Sequence, residues 1–359
     1  MKKKSKISIQ IKAFLMRFLC SRKRVDVNLD KVESILVLRY DRIGDMVVTT
    51  PLFKALRDRF PEAKISVLAS QSNAKIIENN PNINQVYVFP SSLIKRLLLL
   101  AKLRAEQFSL LIDLEHNLIW HIIFHIRVIN PKWVVSNYKY DRYGIGGRSL
   151  SLFDAICSVQ PLASMADNYL RIASEELGVK RASRDAEYQL FLSDANNKYA
   201  EENLDRFSLS IGLNIFGSDE RRKLNIESCV ALCKSLLDKS RSIRIIIFST
   251  QKTLLEVQNI KRSVNSDRVV IAQITQNVMD IAALVSKLSL LVTPDTSLVH
   301  IGCAFNIPLV AVYPASKGNF AHWRPIHPSN RAKVIFSKNE KSLEGYSYSE
   351  LKSAVESFL

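Results

Sequence analysis

Three short stretches of this sequence put residues capable of chemistry beside turns. In RYDRIGDMVVTTP, Asp45 follows an apolar run and opens a helical pattern, next to Gly44, which permits close backbone approach or a positive φ. A carboxylate there either projects into a cleft or satisfies free amides at a helix start. Asp41 is a second carboxylate in the same loop, with Arg42 beside it as a pairing partner. In VTPDTSLVHIGCAFNIP, an apolar strand runs into Pro-Asp-Thr-Ser and then a helix. Thr296 and Ser297 set hydroxyls and amide N–H groups at that helix N-terminus, an arrangement suited to a diphosphate. Asp295 either joins such a site or caps the helix, and His300, one turn further on, is either part of the site or a core histidine. The third stretch, GSDERRK (217–223), offers Arg221, Arg222 and Lys223 as cations where leaving-group charge must be neutralised, the alternative being a solvated charge run.

The elements around these stretches alternate between strand and helix. SILVLRY (34–40), AKISVLAS (63–70), QVYVFP (85–90) and FSLLIDLE (108–115) read as strands, with helical patterns at 46–60, QSNAKIIENN and SSLIKRLLLLAKLRAEQ between them. LIWHIIFHIRVI and the Tyr/Gly-rich NYKYDRYGIGGRS close this first half, and polar residues near 180–205 mark a connection. The rhythm restarts at SLSIGLNIF (208–216) and continues through RSIRIIIFST, RVVIAQ, LSLLVTP and PLVAVYP, each followed by a helical pattern. Such alternation predicts an α/β chain with two Rossmann-like, doubly wound parallel sheets facing a central cleft. The expected boundaries are a basic N-terminal segment at 1–28, a first domain at 29–190, a second at 206–340 and a C-terminal helix at 341–359, capped by Ser347 or Ser349.

The 359 residues suit two domains, and the apolar fraction of 47% contains no run long enough to span a membrane. The formal charge is +17, with nine basic groups and no acid in residues 1–24. In that segment Ile7, Ile11, Phe14, Leu15 and Phe18 recur at helical spacing between Lys2, Lys12, Arg17 and Arg22. The pattern suits a helix lying on an anionic membrane surface, or one docked on the protein's own body. Five scattered cysteines, without a metal-like pair, read as reduced thiols; Cys229 and Cys233 face one side of a helix. His121 and His125 have metal-compatible spacing but no evident third ligand and read as packing residues. No Asp-x-Asp, phosphate-loop or G-x-G-x-x-G motif occurs, which disfavours metal-dependent transfer, a P-loop NTPase and a dinucleotide enzyme. The charge raises nucleic-acid binding as an alternative, but no recognition motif supports it and the basicity concentrates in the leader.

From about residue 33 to 328 the chain resembles glycosyltransferase family 9, the heptosyltransferases of the lipopolysaccharide inner core. ILVLRYDRIGDMVVTTPLFKALRDRFPEAKISVLA and LSLLVTPDTSLVHIGCAFNIPLVAVYP carry the likeness. It implies a GT-B fold and an inverting, metal-independent transfer with no cofactor. It also implies Asp45 as general base, with Arg42 and Gly44 on the acceptor side. Asp295, Thr296 and His300 would hold the donor's nucleotide and diphosphate, with one of Arg221, Arg222 and Lys223 assisting. Ser297 stands where the family usually has glycine, and Leu224-Asn225 replaces a common tryptophan-proline pair. The implied partners are a nucleotide-diphosphate sugar, by default ADP-heptose, and a lipid-linked glycan acceptor. The expected location is the cytoplasmic face of the bacterial inner membrane, contacted through residues 1–24. Another nucleotide sugar used for a surface polysaccharide is the alternative, as is a non-catalytic anion-binding protein.

Overall fold

The computed structural model describes residues 6–23, 25, 26, 28–140, 145, 150–158, 160–180, 186–204 and 209–359. Lys2, Lys3, Lys4 and Arg24 of the leader and most of the Tyr/Gly-rich stretch therefore lie outside the described residues. The chain forms two compact units, residues 1–186 and 187–359.

In the first unit, β1 (Ser34–Arg39), β2 (Lys64–Ala69), β3 (Gln85–Val88), β4 (Leu110–Asp113), β5 (Trp133–Asn137) and β6 (Ala155–Cys157) make one parallel sheet. Their order is β3-β2-β1-β4-β5-β6. The strands are near-continuous apolar runs, as expected when helices cover both faces of a parallel sheet. The helices are α1 (Lys6–Leu19), α2 (Ile43–Arg59), α3 (Leu93–Ala105), α4 (Trp120–Ile129) and α5 (Met165–Arg171).

Two expectations need correction here. The sheet does not end at the α4 sequence but continues through β5 and β6. The pattern is hard to read because Asn130, with φ of 53°, ends α4 three residues before β5, and β6 is only three residues long. QSNAKIIENN forms a single 3-10 turn, Ala74–Ile77, rather than a full helix. The buried Asn73 side chain accepts from the Ser70 amide and donates to the Arg39 carbonyl, offering the backbone a competing turn.

The second unit repeats the winding. β7 (Leu209–Leu213), β8 (Ile243–Ile247), β9 (Val269–Ile271), β10 (Leu290–Pro294), β11 (Leu309–Tyr313) and β12 (Ala332–Phe336) are parallel, in the order β12-β11-β10-β7-β8-β9. The expected connection contains α6 (Asp194–Asn203), started by a Ser193/Asn196 capping box. It packs on α9 (Val278–Ser286), where Asn196 donates to Asp280 at 2.8 Å. The remaining helices are α7 (Ile226–Lys239), α8 (Leu254–Val264), α10 (Ser297–Ala304), α11 (Lys317–Trp323) and α12 (Tyr348–Glu356), the last capped by Ser347. Cys229 and Cys233 are buried on one face of α7 with Leu232 and Leu236, and all five cysteines are buried and unbridged. Each fully buried leucine or isoleucine in such a core contributes about 1.5–3 kcal/mol.

Candidate active site

Doubly wound sheets bind ligands at the C-terminal ends of the strands where the winding reverses. In the first unit that point lies between β1 and β4, and in the second between β7 and β10. The candidate carboxylates fall at these two points, Asp41 and Asp45 just after β1 and Asp295 just after β10.

In the first unit, Asp45 occupies the first turn of α2, with Gly44 before it and the exposed Arg42 as N-cap residue, its side chain making no cap hydrogen bond. The residue that engages both carboxylates is Arg39, at the end of β1 and 4% exposed. It reaches Asp41 at 3.1 Å and Asp45 at 3.3 Å. Arg39 also donates to the Tyr169 hydroxyl at 2.8 Å and lies over its ring at 4.9 Å. Burial opposes the Arg39 charge, but Tyr169, Asp41 and Asp45 outweigh it and raise the pKa. Desolvation pushes Asp41 up to about 6, with Arg39 pulling it down and Asp45 pushing it further up. The expected pairing of Arg42 with Asp41 is thus replaced by Arg39, because Arg39 points inward from the strand end while Arg42 starts the helix on the solvent side. Across the switch point, Lys139 and Asp113 form a fully buried ion pair at 2.7 Å. Breaking such a pair typically costs 3–5 kcal/mol.

In the second unit, Arg222 forms an ion pair with Asp295, and Asn319 donates to the same carboxylate oxygen at 3.3 Å. Arg221 instead pairs with Asp219 at 2.9 Å, and Lys223 with Glu256 at 2.5 Å. Of the three candidate cations, only Arg222 is thus drawn to the end of β10. Gly217 makes this possible: a Cβ there would lie 2.5 Å from the Arg222 carbonyl oxygen. Thr296 is the N-cap of α10 and accepts from the Leu298 amide, and Ser297 is the first helical residue. Asn214, at the end of β7, crosses the switch point to donate to the Thr293 and Thr296 hydroxyls at 2.9 and 3.3 Å. Gly302 seats α10 closely, since a Cβ would lie 3.2 Å from Leu291 and 3.3 Å from Leu309. His300 is buried, ringed by Tyr188 and Trp323, and desolvation lowers its pKa to about 4. It is a neutral imidazole under the helix start.

The structure therefore gathers Asp295, Thr296, Ser297 and Arg222 at one strand end, with His300 beneath, and Asp45, Gly44 and Arg42 at another. Arg39, Tyr169, Asn214 and Asn319 escape sequence reasoning. The one available signal was that two carboxylates in the RYDRIGD loop call for a nearby cation. The His121 and His125 rings lie tilted at 58° with centroids 5.8 Å apart, and the Tyr40 hydroxyl lies 3.1 Å from His125 Nδ1. Among the described residues the grouping with metal-like geometry is Cys157, Glu175 and Glu176, apart from both switch points.

Comparisons with known proteins agree with this architecture. A sequence model described as glycosyltransferase family 9 (heptosyltransferase) matches residues 96–352. Lipopolysaccharide heptosyltransferase 3 of Escherichia coli is 23% identical over 295 residues, 79% of this chain and 83% of the relative. The crystal structure of the glycosyl transferase family 9 protein from Veillonella parvula DSM 2008 superposes with a TM-score of 0.76 at 18% identity, covering 93% of this chain and 98% of that one. E. coli ADP-heptose lps heptosyltransferase II gives 0.72 at 20% identity, covering 90% and 98%. With the family's sequence pattern running through most of its length and the same GT-B architecture, this chain belongs to glycosyltransferase family 9 (heptosyltransferase) and is a glycosyltransferase.

Proposed function

We propose that this enzyme transfers a heptose from ADP-heptose to a lipid-linked acceptor of the lipopolysaccharide core, with inversion and without a metal. The observation that carries the reading is Arg222, held by Asp295 beside the N-terminus of α10. A guanidinium next to helix amides suits a diphosphate, because both present N–H donors to spread negative charge. Asp295 and Asn319 act as positioning residues for Arg222, and Asn214 orients the Thr296 hydroxyl. The curated relative is a lipopolysaccharide heptosyltransferase and one of the similar structures is named for ADP-heptose, which motivates donor and acceptor class.

In the first unit Asp45 serves as general base. It takes the proton from the acceptor hydroxyl, whose oxygen attacks the anomeric carbon as the bond to the diphosphate breaks, inverting that centre. Arg222 and the α10 amides stabilise the departing nucleoside diphosphate. The absence of an Asp-x-Asp motif fits charge neutralisation by protein groups. The test is a transfer assay with ADP-heptose in EDTA, with the anomeric configuration of the product read by NMR. Inverted product should form in EDTA, and Asp45→Asn should lower kcat by about 10²–10⁴. A rate abolished by EDTA and restored by a divalent cation, or undiminished in Asp45→Asn, would overturn the mechanism.

A further inference from the structure

The first unit carries an outer surface that neither chemistry nor folding explains. α3, α4 and α1 cover the same side of the sheet: residues of all three join one core with Leu36, Leu38, Leu111 and Val134 of the strands. Met16 of α1 and Cys20 just after it are buried in that core, so the N-terminal helix is docked on the protein's body. Arg22 fixes its end, pairing with Asp154 at 2.7 Å and donating to the Pro131 and Lys132 carbonyls. Arg104 of α3 donates to the Val128 carbonyl of α4 at 2.9 Å, tying those two helices together.

Docking leaves the opposite faces bare. Phe14 and Phe18 of α1 are each 71% exposed, and Trp120 of α4 is 63% exposed. On α3 the exposed residues are Leu93, Ile94, Leu97 and Leu98, spaced i, i+1, i+4, i+5 along one stripe while Leu100 and Leu103 face the core. Helices elsewhere in the chain with one solvated face, such as α7, α8 and α12, include acids, but α1, α3 and α4 contain none. α3 alone carries Lys95, Arg96, Lys102 and Arg104. Exposed apolar residues at this density are unusual for a solvated surface. Large apolar side chains interleaved with cations and no anions are what an anionic bilayer surface selects, with tryptophan favoured at the headgroup level.

We propose that the outer faces of α1, α3 and α4 form one preformed platform that inserts shallowly into an anionic lipid leaflet. The platform extends the membrane contact from the leader to α3 and α4. It rests on the lipid-linked acceptor reading only for its purpose, because lipid binding is measurable without donor or acceptor; its failure would leave the transferase reading standing.

The experiment uses the full chain with vesicles of phosphatidylethanolamine and phosphatidylglycerol, and with pure phosphatidylcholine vesicles. Trp133 is buried and Trp323 lies in the second unit, so tryptophan emission that shifts to the blue and is quenched by brominated acyl chains reports on Trp120. Trp120→Phe is the control that should remove the signal. Ile94→Glu combined with Leu97→Glu changes only exposed positions. It should weaken binding to the anionic vesicles at least about tenfold with an unchanged melting temperature. Binding equal to the wild type in this double variant would overturn the platform and leave adsorption by the leader alone. A lipid-free dimer that the same substitutions dissociate would also overturn it, making a second copy of the chain the occupant.

Discussion

Arg39 divides its donors between Asp41 and Asp45, so the ionisation of Asp41 governs how tightly Asp45 is held. Above a pH of about 6 Asp41 is charged and shares Arg39. Below it Asp41 is neutral and its claim on Arg39 weakens; in the proposed mechanism the guanidinium would then favour Asp45 and compete with the acceptor hydroxyl for its oxygen. The rate should therefore fall as the pH drops through about 6. Asp41→Asn should give a lower kcat at pH 7.5 and a profile without that inflection; an inflection retained near 6 in the variant would show that another group sets it. How much of this was legible in the sequence differs residue by residue. Asp45 and Asp295 could be found because each sits between an apolar strand and a helix start. Arg39 could not, since its role depends on Tyr169, 130 residues away in sequence. The choice of Arg222 over its neighbours was likewise hidden, because it turns on where Asp219 and Glu256 offer competing carboxylates.

At the scale of elements, the loop between β7 and α7 is a positioning device built on one glycine. Gly217→Ala would drive a Cβ against the Arg222 backbone and move the loop away from Asp295. The expected result is a loss of nucleotide affinity of about ten- to a hundredfold, the usual worth of a hydrogen bond to a charged group, with little change in folding. Unaltered affinity in Gly217→Ala would separate Arg222 from donor binding. Strands with long apolar runs, such as β1, β7, β10 and β11, were readable from pattern alone. β6 and β12 were not, because a three-residue strand and an edge strand with alternating burial resemble loops. The N-terminal helix is docked through the face that carries Met16 and bare on the face that carries Phe14 and Phe18, so the docking reading of its amphipathic pattern holds for the first face and the membrane reading stands as the proposal for the second.

At the scale of the whole molecule, both units use the same winding and both bury histidines, His125 in the first and His300 and His327 in the second. Desolvation lowers His125 and His300 to about 4, with His121 and Arg96 adding to the effect at His125. The unfolded chain takes up these protons below its ordinary pKa near 6.5, whereas the folded chain does so only near 4. Stability is therefore lost as the pH falls from 6.5 to 4, by up to about 3 kcal/mol for each histidine. His300→Leu should shrink the drop in melting temperature between pH 7 and pH 5; an undiminished drop would place the acid sensitivity elsewhere. The two-sheet fold and the family could be read from the sequence because strand–loop–helix units recur in register with both motifs. The central claim, a nucleotide site in the second unit and a base in the first, is tested most directly by calorimetric titration with ADP, UDP and GDP in EDTA. The wild type, Asp45→Asn, Asp295→Ala and Arg222→Ala should be compared. ADP should bind the wild type and Asp45→Asn alike and bind the other two at least about tenfold more weakly. Equal binding by Asp295→Ala and Arg222→Ala, or loss of binding in Asp45→Asn, would contradict the account.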